Sequence, residues 1–246
     1  MKLNCDLGES FGSWKMGMDD AVMPFIDQAN VACGFHAGDP VVMQRTLELA
    51  KAHGVEVGAH PAYPDLQGFG RRSMNCSAKE IVAFVQYQVA ALDGMAKGQG
   101  IDIQYVKPHG ALYNDMMAKA DVRAAIMQAI ATYHRPIKLM LQATPQSAEI
   151  REEAKAAGIE VLFEAFADRC YDDDGKLLSR TKPGAVHTRE KMLAQVKQLN
   201  EQGTLTTVSG HTLNIDADTL CVHGDNAEGV AAIEEIRKVV YSGQQA

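Results

Sequence analysis

The stretch NVACGFHAGD, residues 30–39, sets Cys33, His36 and Asp39 among small residues and two glycines. Three kinds of chemistry fit it: a Cys33 nucleophile with His36 as base, a His36/Asp39 metal site, or one wall of a larger polar pocket. Comparable sets recur along the chain. NCDLGES (4–10) carries Asn4, Asp6 and Glu9, and GAHPAYPDLQGFGRR (58–72) carries His60, Asp65, Arg71 and Arg72. VKPHGALYND (106–115) carries Lys107, His109 and Asn114, FEAFADRCY (163–171) carries Glu164, Asp168 and Arg169, and VHGDNAEG (222–229) carries His223 and Asp225. Carboxylates and imidazoles in this mixture suit proton transfer. The lysine and arginines suit binding or stabilisation of negative charge.

These stretches have a common position. β-leaning runs at residues 2–5, 27–32, 55–59, 103–106, 137–141, 160–164 and 220–222 alternate with amphipathic patterns at 40–53, 77–97, 121–134, 144–157, 187–201 and 226–241. Each polar set begins at or just past the end of one of the β-leaning runs. Ser77 with Glu80 has the form of a capping box, and Gly54 and Gly158 stand where helices should stop. Regular alternation of strands and helices predicts one α/β domain over residues 1–246. An open doubly wound sheet and a closed β/α barrel both fit. Seven units closing into an irregular, TIM-like barrel suit the alternation better, and either fold collects the residues that follow its strands at one face.

His36, His60, His109 and His223 all follow strand runs, whereas His53 and His134 fall at the ends of helical patterns. Convergence of four imidazoles on one face points to a site, where a single histidine would say little. Asp6, His36, His60 and His109 form a mixed N/O set, but no HExxH spacing is present, so no metal is assigned from the sequence. Cys33 is expected to be a small buried residue. Met116 and Met117, like Met16 and Met18, are expected to fill the core or pack under a lid. The loop bearing Arg71 and Arg72 also holds Pro61, Pro64, Gly68 and Gly70, and reads as a lid with an anion-gripping end.

With 46% hydrophobic and 22% charged residues, the 246-residue chain can fill a core, and its net charge of −7 argues against nucleic acid or an anionic membrane as partner. Five scattered cysteines without a CxxC pair, and no export or spanning segment, set the expectation of a reducing cytoplasm. Sequences of the GxxxxGK[ST] and GxGxxG types do not occur at strand ends.

NCDLGESFG, NVACGFHAGD, VGAHPAYPDLQGFGRR, VKPHGALYN, FADRCY, PGAV and CVHGDN, spread over residues 4–226, resemble the LamB/YcsF family of 5-oxoprolinase components. The resemblance implies a seven-stranded irregular barrel related to the glycoside hydrolase/deacetylase group. It also implies ATP-dependent opening of the lactam of 5-oxo-L-proline to L-glutamate, together with partner subunits B and C, with ATP as co-substrate at a site shared with or carried by those partners. In such a reaction Asp6 or His60 is the first choice as general base. Lys107 and Arg169 are expected to stabilise developing charge, and Arg71 or Arg72 to hold the substrate carboxylate. His109, His223 and Asp225 are expected to orient water or the leaving group, with Glu164 and Asp168 among the catalytic set. Asn4, Glu9, His36 and Asp39 are expected to line the substrate pocket.

Overall fold

The structure is a computed structural model that describes residues 1–179, 182–224 and 227–242. Seven parallel strands close into a barrel in the order β1 (Lys2–Leu7), β2 (Gln28–Ala32), β3 (Glu56–His60), β4 (Tyr105–Val106), β5 (Lys138–Gln142), β6 (Val161–Phe166) and β9 (Thr219–Val222), with β9 returning to pair with β1. Around them run α2 (Pro40–His53), α3 (Ala78–Gly98), α5 (Ala120–Ala131), α6 (Ser147–Ala156), α7 (Arg189–Gln202) and α8 (Ala227–Tyr241). The TIM-like α/β barrel expected from the alternation is therefore present, and all seven strand runs and six helical patterns have counterparts in it.

The helix ends form for the anticipated local reasons. Ser77 accepts the Glu80 N–H while Glu80 accepts the Ser77 N–H, so α3 opens with the reciprocal box. Asp39 caps α2 ahead of Pro40, and Gly54 closes that helix at φ +67°. Three features escaped the sequence reading: a first short helical turn over Asp19–Val22 (α1) running into Met23–Phe25, helix α4 (Gly110–Ala118), and an antiparallel hairpin of β7 (Thr204–Thr206) and β8 (Thr212–Asn214). Helix α4 follows His109 directly, within a segment read as loop.

The strands separate two environments by their period of two. On β1, Leu3, Cys5 and Leu7 join the buried apolar layer beneath the helices, while Asn4 and Asp6 meet partners across the barrel lumen. Gly58 on β3 makes room there: a Cβ at that position would sit 2.1 Å from the Tyr105 ring. The buried Tyr105 therefore reaches across to donate to Asn30 Oδ1 at 2.7 Å. Met116 is buried and Met117 packs against the core, but Met16 and Met18 are exposed, correcting the expectation that they fill the core. They belong to the β1–α1 segment, which also exposes Trp14.

Candidate active site

Lys107 leaves the end of β4 and lies inside the barrel, 2% exposed. Its ammonium is 3.0 Å from Asp6 Oδ1, 2.9 Å from Glu164 Oε2, 3.2 Å from Asn4 Oδ1 and 3.3 Å from Cys221 Sγ. Asn30 ties the set together from below, donating to Asn4 Oδ1 and Asp6 Oδ1, each at 2.8 Å. Asn4 in turn donates to Thr219 Oγ1 at 3.0 Å.

Burial works against charge on Lys107, but Asp6, Cys221 and Glu164 outweigh it and hold the ammonium well above the ordinary lysine value. Burial would likewise raise the Asp6 carboxyl, yet His60 and Lys107 beside it keep it well below the usual carboxylate range. An ionised Asp6 thus stands at the top of β1 with a permanent counter-ion. Burial, followed by the Glu164 carboxylate, drives the Tyr113 hydroxyl the other way and keeps it neutral.

A layer of imidazoles covers this ion set. His60 ends β3, with Nε2 3.4 Å from Asp6 Oδ2. Its Nδ1 donates to the Lys107 carbonyl at 2.7 Å. His109 precedes α4 and donates from Nε2 to the Phe69 carbonyl at 2.9 Å, which brings its Nδ1 to 3.0 Å from His60 Nε2. His36 lies parallel to His109, ring centres 3.7 Å apart, and its Nε2 is 3.0 Å from Glu9 Oε1. Desolvation comes first in lowering the proton affinities of His36 and His109, and the neighbouring imidazoles add to it, so both rings favour the neutral form.

The 61–72 loop is fastened over these rings. Phe69 stands edge-on to His36 and His109, and the Ala111 N–H donates to the Gly70 carbonyl. Gly70, at φ +65°, is pressed so closely that an added Cβ would lie 2.8 Å from both His109 and His36. Four of the groups, Glu9, His36, His60 and His109, place one donor atom each within 4.8 Å of one another, as do Asp6, Cys221 and His223.

The remaining expected residues divide. His223 Nδ1 lies 3.0 Å from Asp168 Oδ2, on the β9 and β6 side of the same face. These two line a cavity of about 360 Å³ together with His187, Arg189, Met192 and Val222. Arg71 sits at the rim with its guanidinium 5.5 Å from the centre of the Phe69 ring. Asp225 lies outside the described residues.

Three expected site residues are committed to local structure instead. Asp39 accepts from Val41 and Val42 as the α2 cap and from Gly12, correcting its placement in the pocket wall. Arg72 is paired to Asp65 of its own loop, so the anion-gripping pair reduces to Arg71. Arg169 donates from Nη2 to the Leu178 carbonyl at 2.5 Å and from Nε to the Ala185 carbonyl at 3.5 Å. These bonds tie its guanidinium to the backbone at Leu178 and Ala185.

Cys33 is buried and donates to the Val31 carbonyl, and burial pushes its thiol up to about 12, which removes it as a nucleophile. Asn30, Tyr105, Cys221 and Thr219 belong to the constellation and were missed. Their signal was the two-residue spacing within strands: Tyr105, Lys107 and His109 repeat it, as do Thr219, Cys221 and His223.

A larger cavity, about 560 Å³, opens at the opposite end of the barrel among Met1, Gln28, Glu56, Tyr105, Lys138 and Asp218. Size does not locate the chemistry in this fold, since the convergent charges and imidazoles lie at the strands' C-terminal ends. Among the described residues, no helix is long and apolar enough to cross a membrane.

Comparison with known proteins agrees with this architecture. A profile of the LamB/YcsF family matches residues 1–245. A protein of Chromohalobacter salexigens, named as the A component of 5-oxoprolinase, is 55% identical over 236 residues, covering 96% of this chain and 94% of the relative. A protein of Vibrio campbellii with the same name is 52% identical over 244 residues, covering 99% and 96%. The solved structure of a lactam utilization protein from Thermus thermophilus superposes with a TM-score of 0.91 at 37% identity, covering 99% of this chain and 97% of that one.

Proposed function

The chain belongs to the LamB/YcsF family, and on that premise we propose that it is the A component of an ATP-dependent 5-oxoprolinase, acting with partner subunits B and C in the cytoplasm. The observation that carries the reading is the ionised Asp6, held between Lys107 at 3.0 Å and His60 at 3.4 Å where the strands end. A base fixed beside a buried cation suits delivery of water to an acyl carbon.

A lactam carbonyl is a poor electrophile because the ring nitrogen donates into it. Transfer of a phosphoryl group from ATP to the amide oxygen, with ADP released, makes an activated imidate; water adds at C5, collapse of the tetrahedral carbon breaks the C5–N bond as a proton passes to the ring nitrogen, and a second water cleaves the resulting acyl phosphate to L-glutamate and phosphate. In this reading Asp6, assisted by His60, takes the proton of the water that adds at C5. Lys107 stabilises the charge that develops as the carbon becomes tetrahedral. Arg71, the rim arginine left unclaimed by Asp65, holds the substrate carboxylate through its planar fork. His223 and Asp168 border the space next to the ion set, and the ATP site is assigned to the assembled complex.

The test is glutamate release from 5-oxo-L-proline by this chain alone and with both partner subunits, each with and without ATP. Release only with all three subunits and ATP is the expected pattern. Release by this chain alone without ATP contradicts it and marks a self-sufficient amide hydrolase.

A further inference from the structure

The hydrogen bonds of His60 and His109 fix which of their nitrogens carry protons. A backbone carbonyl can only accept, so His60 bears its proton on Nδ1, facing the Lys107 carbonyl, and His109 bears its own on Nε2, facing the Phe69 carbonyl. The remaining ring nitrogens, His60 Nε2 and His109 Nδ1, are thereby turned toward each other 3.0 Å apart, each with a lone pair wherever it bears no proton. Two lone pairs at that distance repel unless something positive lies between or beside them. Glu9 Oε1 is 3.5 Å from His109 Nδ1 and belongs to the same convergent group.

We infer that Glu9, His60 and His109 form a binding seat for a divalent transition-metal cation of the zinc class, oriented by His36. This inference concerns metal binding and does not depend on the proposed activity.

Several features agree on a cation. Metal-ligating histidines characteristically donate the opposite ring N–H to a backbone carbonyl or carboxylate, as both rings do here, which fixes the tautomer and aims the free nitrogen. Tetrahedral bonds of about 2.0–2.1 Å to nitrogen or oxygen place neighbouring ligand atoms about 3.3–3.4 Å apart, and the observed 3.0 and 3.5 Å bracket that edge. Two imidazoles and a carboxylate suit zinc and its neighbours rather than calcium or magnesium, which take oxygen ligands.

His36 is placed as a positioning residue rather than a ligand. Its ring is parallel to that of His109, so one cation cannot lie in both ring planes. Its Nε2 instead meets Glu9 Oε1 at 3.0 Å and holds the carboxylate toward the seat. Three protein ligands leave a fourth position for water or a substrate oxygen, with Asp6 Oδ2 3.4 Å from His60 Nε2.

The experiment is metal content and titration on the full chain after treatment with a chelator, using zinc and then cobalt(II) as probes. The expected result is one equivalent of zinc, and a cobalt form whose visible spectrum shows four- or five-coordination by nitrogen and oxygen. His60→Gln and His109→Gln lose stoichiometric binding, and His36→Gln weakens it by about 10–100-fold. Each variant is checked for an unchanged circular dichroism spectrum, and the wild-type stoichiometry stands as a test independent of them. Well below 0.1 equivalent bound to the wild-type chain at micromolar free zinc overturns the inference and leaves a shared proton to separate the lone pairs. A thiolate-to-cobalt charge-transfer band also overturns it, because Cys221, with Asp6 and His223, then holds the ion. Binding that persists unchanged in folded His60→Gln and His109→Gln places the ion elsewhere and overturns it equally.

Discussion

Replacing Lys107 with methionine is expected to lower the unfolding free energy by about 3–5 kcal/mol and to reduce glutamate release by the assembled enzyme by about 10²–10³-fold. Methionine keeps the length and the apolar stem but removes the ammonium that lies 3.0 Å from Asp6 and 2.9 Å from Glu164. Two largely buried carboxylates then face each other without compensation, and that cost, rather than the net worth of the ion pairs, sets the loss.

Adding Glu164→Gln to Lys107→Met neutralises one of the stranded carboxylates and should recover part of the stability, so the two substitutions should be non-additive in a double-mutant cycle. Activity should stay low in the double variant, because the charge that stabilises the reacting carbon is still missing. Denaturant unfolding of the four proteins measures the coupling. A Lys107→Met chain within about 0.5 kcal/mol of wild type would mean that the buried ion set does not exist in solution.

Asp6→Asn is expected to lower the turnover of the reconstituted complex by at least about 10²-fold, with a much smaller change in thermal stability than Lys107→Met. The substitution preserves size and leaves an oxygen to accept from Asn30 and Lys107, so the lumen network persists. It removes the basic oxygen that faces His60. Lys107 retains Glu164 as its counter-ion, so no unpaired charge is created. The loss should appear in kcat more than in KM, since the proton is taken in the transition state and not on binding. Near-wild-type turnover in the variant would remove Asp6 from the role of base.

The architecture was legible because the strands are short runs alternating with longer amphipathic segments, and helices α2 and α3 carry their own cap signals. Ser77 with Glu80 and the positive-φ Gly54 acted as written. Helix α4 was missed because it begins at Gly110 immediately after His109 and spans nine residues, with too few turns to set an apolar period apart from a loop. The β7–β8 hairpin was missed because its two three-residue strands, Thr204–Thr206 and Thr212–Asn214, lie in a polar stretch and each carry one leucine.

The site was half legible for a related reason. Position after a strand singled out Asp6, His36, His60, Lys107, His109 and Glu164, and the barrel does bring these side chains together at one face. The same rule also singled out Asp39 and Arg72, which meet a helix N-terminus and a carboxylate of their own neighbourhood, and Arg169, which donates to the Leu178 and Ala185 carbonyls. Residue type cannot distinguish a charge aimed at a ligand from one aimed at adjacent backbone. Asn30 and Tyr105 were missed because they lie within strands, where only the two-residue alternation shows that their side chains enter the lumen.

The most direct test of the central claim is a structure of the assembled enzyme with 5-oxo-L-proline bound. The predicted result places the lactam ring at the C-terminal ends of the strands, its C5 side toward Asp6 and Lys107 and its carboxylate toward Arg71. A lactam bound in the cavity among Gln28, Glu56 and Asp218 at the opposite end, or wholly on one of the partners, would contradict the account.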